Sequence, residues 1–504
     1  MTQFATMRDI GSRLELFVDD WLIDQTRGEA QLRMHEPVAK SDGLAESETW
    51  EGDHPGYATL IDDGDRFRFY YQLFHDPERP DGEDDSHLES GLRMLAAYAE
   101  SKDGVEWHKP RLGLYEHKGS VENNIIFSGF GERGKGIHGF ALYKDANPDA
   151  PEESRYKALG AERRAVAGGS LYAMHSADGL RWSLMQEYPM MTFGSFDSQN
   201  QAFWDSRRGE YSCYFRDFAT DIDTVFEPGH RIIKSATSAD FLHWENPTSL
   251  TYADSPAEQL YTNQVQPYYR APHILIGFPT RYVERAWSDL VEAFPEADER
   301  CRRAFEPGGH ERFGASMTDA LLMTSGDGTH FNRWNEAYVR PGIQSRGRWI
   351  YGDNYKCLGM IETPSELSGA PAEISFYVGE GGEREGASWR YRRYTTRVDV
   401  FVSLNATHRG GEVVTHPLRL AGIRLVINFA TSAAGWIRTE VHAADGLPLE
   451  GFGLDDCLES VGDELERVVR WKGGASVASL QDRPVRLRFV MREADLYSLR
   501  FARE

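Results

Sequence analysis

Four acidic side chains stand where apolar, strand-like runs begin. Glu51 and Asp53 precede 57–61, Asp197 precedes 202–204, and Glu258 precedes 265–269. Carboxyl groups brought together from separate strand starts are suited to cutting a glycosidic bond. One carboxyl protonates the leaving oxygen, and the other attacks the anomeric carbon or activates water. A separation of about 5 Å between the two favours retention, and roughly 6.5–9.5 Å leaves room for a water and favours inversion. Glu51 and Asp53 compete for one role, since residues two apart in an extended strand face the same side. The other of the two is then a solvated turn acid. Asp197 also fits an Asx-turn or strand cap, and Glu258 a surface acid.

Short polar residues surround these acids. Ser198, Gln199 and Asn200 follow Asp197, and such a cluster suits sugar hydroxyls. Asn123, Asn124 and His138 precede further strands. Arg270, His273 and Arg281 bracket the apolar run ILIGF, and Asp319 heads ALLMTS. The arginines and His273 are candidates for binding hydroxyls, a carboxylate or a phosphate, and equally for bracing strand ends. Trp50, Tyr57 and Trp204 offer faces on which a sugar ring could stack, though rings of this kind commonly pack sheet against sheet.

The elements that must position these groups repeat along the chain. Ser101-Lys-Asp103-Gly104-Val-Glu-Trp107 returns as Ser176-Ala-Asp178-Gly179-Leu-Arg-Trp182 and as Ser238-Ala-Asp240-Phe-Leu-His-Trp244. A weaker copy is Ser325-Gly-Asp327-Gly328-Thr-His-Phe331. Each follows a β-rich run, and the period of roughly 60–90 residues suits one four-stranded blade. Four tagged units, with 349–361 and 373–378 as an untagged fifth, predict a five-bladed β-propeller, with four or six blades as the alternatives, over residues 1–365, an N-terminal wrapping segment included. Strands begun near the axis of such a fold bring their leading residues together. Beyond PSELSGAPAEIS, strand-length runs split by Gly, Pro and Asp predict a C-terminal β-sandwich over 366–504. The fold class is all-β. The polar stretch 76–89 and the charged, partly helical stretch 287–311 read as loop insertions.

Composition excludes several functions. The net charge of -23 argues against nucleic acid or an anionic membrane as partner. No run approaches the roughly 18 apolar residues of a membrane span. The stretch MTQFATMRDIGSRLELF has no apolar core after a basic start, so a cytoplasmic protein is expected. Cys213, Cys301, Cys357 and Cys457 show no CxxC spacing, so neither a disulfide framework nor a zinc site is expected. No metal and no cofactor are expected: dinucleotide, P-loop, HExxH and GxSxG patterns are all missing. The expected partner is an oligosaccharide or small glycoside. Homo-oligomerisation is compatible with the sequence.

Trp50-Glu51-Gly52-Asp53-His54-Pro55-Gly56-Tyr57, followed by DGDRFRFYYQ, resembles the opening of the invertase and fructosidase family, glycoside hydrolase family 32. In that family a Trp stands three positions before a nucleophilic Asp, which implies this role for Asp53. Phe196-Asp197-Ser198 is similar to the family's Arg-Asp-Pro element but lacks its Arg and Pro; the resemblance implies that Asp197 holds substrate hydroxyls and supports the transition state. Glu258-Gln259 stands where the family has a Glu-Cys acid/base, without the Cys. The propeller-then-sandwich layout is the family's too, and extends to related arabinofuranosidase-type enzymes, several of which invert. The WEG, FDSQN and RAPHI stretches resemble a group of bacterial proteins more closely than a true invertase. The expectation is therefore a glycosidase acting on a furanosidic, fructoside-like bond, with retention favoured. Its rivals are an inverting glycosidase or phosphorylase on the same fold and a non-catalytic carbohydrate-binding propeller. A sialidase-like enzyme is a further rival, although the tags are one residue shorter between Asp and Trp than that family's Asp box.

Overall fold

The computed structural model describes residues 7–51, 54–75, 93–129, 137–162, 169–220, 227–307, 309–381, 389–481 and 483–503. The chain divides into two compact units. One comprises Pro37–Tyr268 and Pro272–Thr395; the other comprises Met1–Glu36, Tyr269–Ala271 and Thr396–Glu504.

The larger unit is a five-bladed propeller. The first sheet runs His54–Asp62, Phe67–His75, Arg93–Ser101, Ile125–Phe127. The second runs Ile137–Lys144, Tyr156–Glu162, Ser170–Ser176, Ser183–Leu184, and the third Gln201–Asp205, Glu210–Phe218, Arg231–Ser238, Glu245–Ser249. In the fourth, the inner strand Gln259–Leu260 with Gln266–Tyr268 pairs with Thr280–Val283 and Ala271–Gly277. Outside these lie Met317–Ala320 and Met323–Ser325, then His330–Arg333, with Thr251–Tyr252 added in parallel at the edge. The fifth runs Ile361–Thr363, Glu373–Glu380, Arg390–Arg397, Val38–Ala45. Its outermost strand therefore comes from far earlier in the chain and closes the circle.

Two glutamines tie the five sheets at their axis. Gln199 Nε2 donates to Ala58 O at 3.3 Å, Thr59 Oγ1 at 3.2 Å and Phe140 O at 3.3 Å. Gln264 Nε2 donates to Gln199 Oε1 and to Lys356 O, both at 2.8 Å. These partners come from all five inner strands or the residues leading into them. The strands approach so closely that a Cβ on Gly139 would sit 2.1 Å from Ser198 O, and one on Gly359 2.0 Å from Leu60 O. Only glycine fits there, and both have positive φ.

The four tags are tight turns between third and fourth strands. In the first, Ser101 Oγ accepts from Gly104 N at 2.9 Å, and Asp103 Oδ1 accepts from Val105 N and Glu106 N, each at 2.9 Å. The same bonds recur at Ser176/Asp178, Ser238/Asp240 and Ser325/Asp327. Burial pushes these carboxyls up, but the donors outweigh it and hold all four below the usual range. The fifth sheet lacks a tag for a topological reason: its fourth strand, Val38–Ala45, does not follow its third, so there is no turn to brace.

The smaller unit is one sheet creased across its middle. Val485–Ala502 lies between Val402–Thr415 and Arg424–Ala443, and Ile23–Met34 extends the sheet. Both flanking strands lose register opposite Arg492–Ala494, at 406–411 and at 431–436. Gly28 and Gly410 adopt positive φ on that line. The halves share one apolar core, including Leu404, Ile427, Phe429, Val441, Phe489 and Leu499. The sandwich is thus one eight-stranded sheet, four of whose strands are long enough, at 12–20 residues, to form its main part.

Two expected boundaries move. Residue 366 falls within the fifth sheet's span, because Glu373–Glu380 and Arg390–Arg397 are blade strands. The first 36 residues belong to the creased-sheet unit, where Ile23–Met34 pairs with Val402–Thr415. The 287–311 insertion is helical at Asp289–Glu292, Ala297–Phe305 and Glu311–Ala315. All of 76–89, and both Gly52 and Asp53, lie outside the described residues.

Candidate active site

Asp197 is presented by a strained turn. Phe196, with φ of 47°, is left-handed and buried. Ser198 N donates to Phe196 O at 2.7 Å, and Asn200 Nδ2 donates to Phe196 O at 2.9 Å and Ser198 O at 2.8 Å. Asn200 Oδ1 in turn accepts from Arg216 N at 3.0 Å. Asn200 is fully buried and fixes the turn rather than facing solvent. The result is a carboxylate whose side chain is 42% exposed, at the head of the third inner strand.

Two cations or potential cations flank it. Arg216 Nη2 lies 3.1 Å from Asp197 Oδ2, and His138 Nε2 lies 3.2 Å from Oδ1. Arg216 is only 2% exposed; burial pulls its pKa down, but Asp197 and the surrounding tyrosines hold it above its ordinary value. His138 packs edge-on against Tyr57, with ring centroids 5.5 Å apart.

Tyrosines pack around this group. Tyr57, Tyr261, Tyr282 and Tyr351 form one buried cluster, with Phe313 and Tyr355 against it. Tyr57 stacks on Tyr355 at 6.1 Å, and the Tyr351 hydroxyl donates to the Tyr261 hydroxyl at 2.9 Å. Burial, then Tyr261, Tyr351 and Asp197, pushes the Tyr57 phenol well up, so it remains a neutral donor. The guanidinium of Arg216 faces Tyr261 at 5.3 Å and Phe218 at 4.8 Å. First, second, third, fourth and fifth sheets each contribute a group near the start of the inner strand: Tyr57, His138, Asp197, Tyr261 and Tyr355.

The structure sorts the residues expected from sequence. It brings His138 and Asp197 together with Tyr57. Asp53 lies outside the described residues. Glu51 is fully buried: Oε1 accepts from the Tyr71 hydroxyl at 2.6 Å, and Oε2 accepts from Lys109 Nζ at 2.7 Å, Ser47 N and Glu48 N. A carboxylate so saturated braces the first sheet. Trp50 Nε1 donates to Asn124 Oδ1 at 2.8 Å, while Asn124 Nδ2 donates to the Tyr71 hydroxyl and Tyr98 O. Trp50 and Asn124 thus belong to the Glu51 network rather than to the Asp197 group.

Glu258, Arg281 and Asp319 are brought together, but with one another. Arg281 pairs with both Asp319 oxygens, at 3.0 and 2.7 Å, and its Nη1 reaches Glu258 Oε1 at 2.9 Å. Arg333 Nη2 lies 3.0 Å from Glu258 Oε2. Burial pulls the Arg281 pKa down, yet these two carboxylates hold it above its ordinary value. Arg270 pairs with Asp399 at 3.0 Å, both in the creased-sheet unit. His273 lies on the strand Ala271–Gly277, where its carbonyl accepts from Arg207. The three basic residues expected to form one phosphate site are therefore engaged separately.

Arg216 and the tyrosines of the fourth and fifth sheets were not singled out by sequence. Arg216 had one signal: it is the lone cation inside the apolar run 211–218. Tyrosine is too common here, at 23 residues, for any one to stand out.

No protein-family model matches the chain, and no curated protein matches it. Solved structures with a similar course include an N-acetylgalactosamine deacetylase from F. plautii in complex with blood group B trisaccharide. It is 13% identical, covers 73% of this chain and 96% of that one, and has a TM-score of 0.44. A glycoside hydrolase family 43 arabinoxylan arabinofuranohydrolase from Bacillus subtilis is 11% identical over 90% of this chain and 96% of its own, with a TM-score of 0.40. A structure from the GH130 family of mannoside phosphorylases, described as containing glycoside hydrolases that target β-1,2 mannosidic linkages, is 12% identical over 77% and 97%, with a TM-score of 0.41. At such identity and overlap, no residue role passes from them to this chain.

Proposed function

We propose that the protein is a glycosidase whose substrate sits in the tyrosine-lined funnel, with the Asp197 carboxylate acting at the anomeric centre. The observation that carries this reading is the contrast among the acids. Asp197 is 42% exposed and flanked at its two oxygens by Arg216 and His138, whereas Glu51 is buried in a bracing network and Glu258 is paired with two arginines. A fixed carboxylate in a site walled by aromatic faces can stabilise oxocarbenium-like charge or attack it. Tyr57 and Tyr355 offer the apolar faces that sugar C–H groups pack against.

Asp53 is the second carboxyl in this reading, from the spacing after Trp50. Glu258 would have to leave Arg281 and Arg333 to hand over a proton, so the donor role passes away from it. A furanosidic, fructoside-like bond cut with retention is the finer expectation. The anomer first formed, read by proton NMR, separates retention from inversion.

The test is turnover on a panel of aryl glycosides and oligosaccharides by the wild-type protein, Asp197→Asn and Asp53→Asn. Both variants are expected to lose on the order of 10³-fold or more in kcat. Turnover that survives Asp197→Asn undiminished would sink the reading. Binding of sugars without turnover, unaffected by either change, would make the propeller a carbohydrate-binding module.

A further inference from the structure

Beside the tyrosine cluster stands a second arginine that pairs with no carboxylate among the described residues. Arg231, on the third strand of the third sheet, is half-buried beside the tyrosine cluster. Its guanidinium lies 4.4 Å from the centre of the Tyr282 ring, 5.6 Å from Tyr261 and 5.8 Å from Phe218. Its one hydrogen bond among the described residues goes from Nη1 to the neutral amide Gln259 Oε1 at 2.7 Å. Nε is buried with no partner. Arg216 lies over two of the same rings, Phe218 and Tyr261, and its Nε is likewise buried and unpartnered. Phe218 and Arg231 face each other across the two strands, so both guanidiniums stand on one side of the third sheet.

This is costly unless something repays it. A guanidinium whose Nε is buried, with no counter-charge among the described residues, pays part of its desolvation, and ring faces return only some of it. The chain has acids to spare at a net charge of -23, and it pairs Arg281, Arg333 and Arg393 with carboxylates. With only an amide on Nη1, Arg231 keeps its remaining donors free of any carboxylate among the described residues. An arginine fork presents parallel N–H donors matched to a carboxylate or another oxyanion.

We propose that Arg231, with Gln259 holding its fork and Tyr261 and Tyr282 as its walls, binds an anionic oxygen group carried by the substrate, which makes the substrate an acidic glycoside such as a uronic-acid oligosaccharide. This rests on the funnel being the substrate site. Arg231 is a specificity determinant here, and Asp197 remains the group at the reacting centre. The negative charge is recognised away from Asp197, so the two anions do not meet. The ring form of the scissile sugar is independent of this charge.

The test compares uronic-acid oligosaccharides with the same oligosaccharides after carboxyl reduction, which removes the charge and little else. Affinity is measured by calorimetry for the wild-type protein, Arg231→Gln and Arg231→Lys, with inorganic phosphate as a separate ligand. The wild type is expected to bind at least one acidic member tenfold or more tightly than its reduced counterpart. Arg231→Gln should abolish that preference while leaving the neutral form's affinity within about twofold, and Arg231→Lys should keep part of it; retained binding of the neutral form shows that the variant is folded. Equal binding of acidic and neutral forms by the wild type overturns the charge inference and leaves the glycosidase reading standing. A preference unchanged in both variants overturns the assignment to Arg231. Arg231-dependent binding of phosphate with no preference for acidic sugars places the anion on a co-substrate and overturns the acidic glycoside. If no oligosaccharide binds at all, the site reading itself falls, and this inference with it.

Discussion

Around the propeller axis, Thr59, Gln199, Gln264 and Lys356 are buried and joined by hydrogen bonds that cross from sheet to sheet. Along the crease of the smaller unit, the interior is filled instead by Leu404, Ile427, Phe429, Phe489 and Leu499. Both cores are buried, but they tolerate error differently. An apolar core can adjust by repacking, whereas a buried amide that loses its partner costs about 1–3 kcal/mol. The polar axis therefore sets how each blade is rotated about its neighbours. That rotation decides whether Tyr57, His138, Asp197, Tyr261 and Tyr355 meet. The creased sheet has buried polar groups too, such as Asp399 and Asn428, but they position none of these five residues.

Paired substitutions in the two units break or sharpen this contrast. The largest effect is expected from Asp197→Asn, with kcat falling on the order of 10³-fold and a smaller loss of thermal stability from the charge removed beside buried Arg216. Its counterpart Asp399→Asn, at a buried carboxylate paired with Arg270, should do the reverse. Calorimetric melting and turnover, measured on both, would refute the contrast if Asp399→Asn proved as damaging to kcat.

Gly139→Ala puts a Cβ 2.1 Å from Ser198 O at a φ of +66°, and Gly435→Ala puts one 2.2 Å from Glu493 O. Each should cost about 2–4 kcal/mol in urea unfolding. Gly139→Ala should also lower kcat, because it displaces the residue next to His138. Gly435→Ala should leave kcat alone, and equal kinetic damage from both would show that the units are not separable in this way.

Lys356 gives the axis a pH signature. Its ammonium lies 4.5 Å from the Phe278 ring centre, and it donates to Cys357 O and Gly359 O at 2.9 and 3.0 Å. Burial lowers its pKa to about 7. Between about pH 7 and pH 10 the unfolded chain binds the extra proton, so this lysine's contribution to stability rises with pH. Replacement by Met should remove that rise, a difference of about 1–3 kcal/mol between pH 7 and pH 9. Parallel pH profiles for wild type and variant would count against it.

The smallest effect is expected from Glu258→Gln. Its carboxylate is about a quarter exposed, so loss of charge toward Arg281 and Arg333 should cost about 1–2 kcal/mol of stability. Turnover should stay within about tenfold, well short of the roughly 10²–10⁴ that a proton donor supplies. A larger loss, confined to substrates with poor leaving groups, would return the donor role to Glu258.

Much of the fold was legible because its markers are local. Each tag is a turn closed within six residues by its own Ser and Asp, and the pattern survives wherever a third strand runs into a fourth. The fifth sheet hid because its fourth strand precedes the first sheet in the chain. The boundary near 365 was misplaced for the same reason: 373–397 has the apolar, aromatic composition of either unit, and its membership depends on pairing with Val38–Ala45. The site was half legible. Asp197 and His138 stand out at strand starts, while Arg216 reads as an interruption in a core strand.

The amino-acid order alone determined where strands begin, which turns are braced, and that acids stand at several strand heads. Those are short-range matters of alternation, turn chemistry and spacing. Which acid is left open was decided only by tertiary packing. Lys109 reaches Glu51 across 58 residues, Arg281 reaches Glu258 across 23, and Arg216 and His138 flank an Asp197 whose side chain stays 42% exposed. A carboxylate's character depends on the charges within a few ångströms of it, and those neighbours are chosen by how the sheets close around the axis.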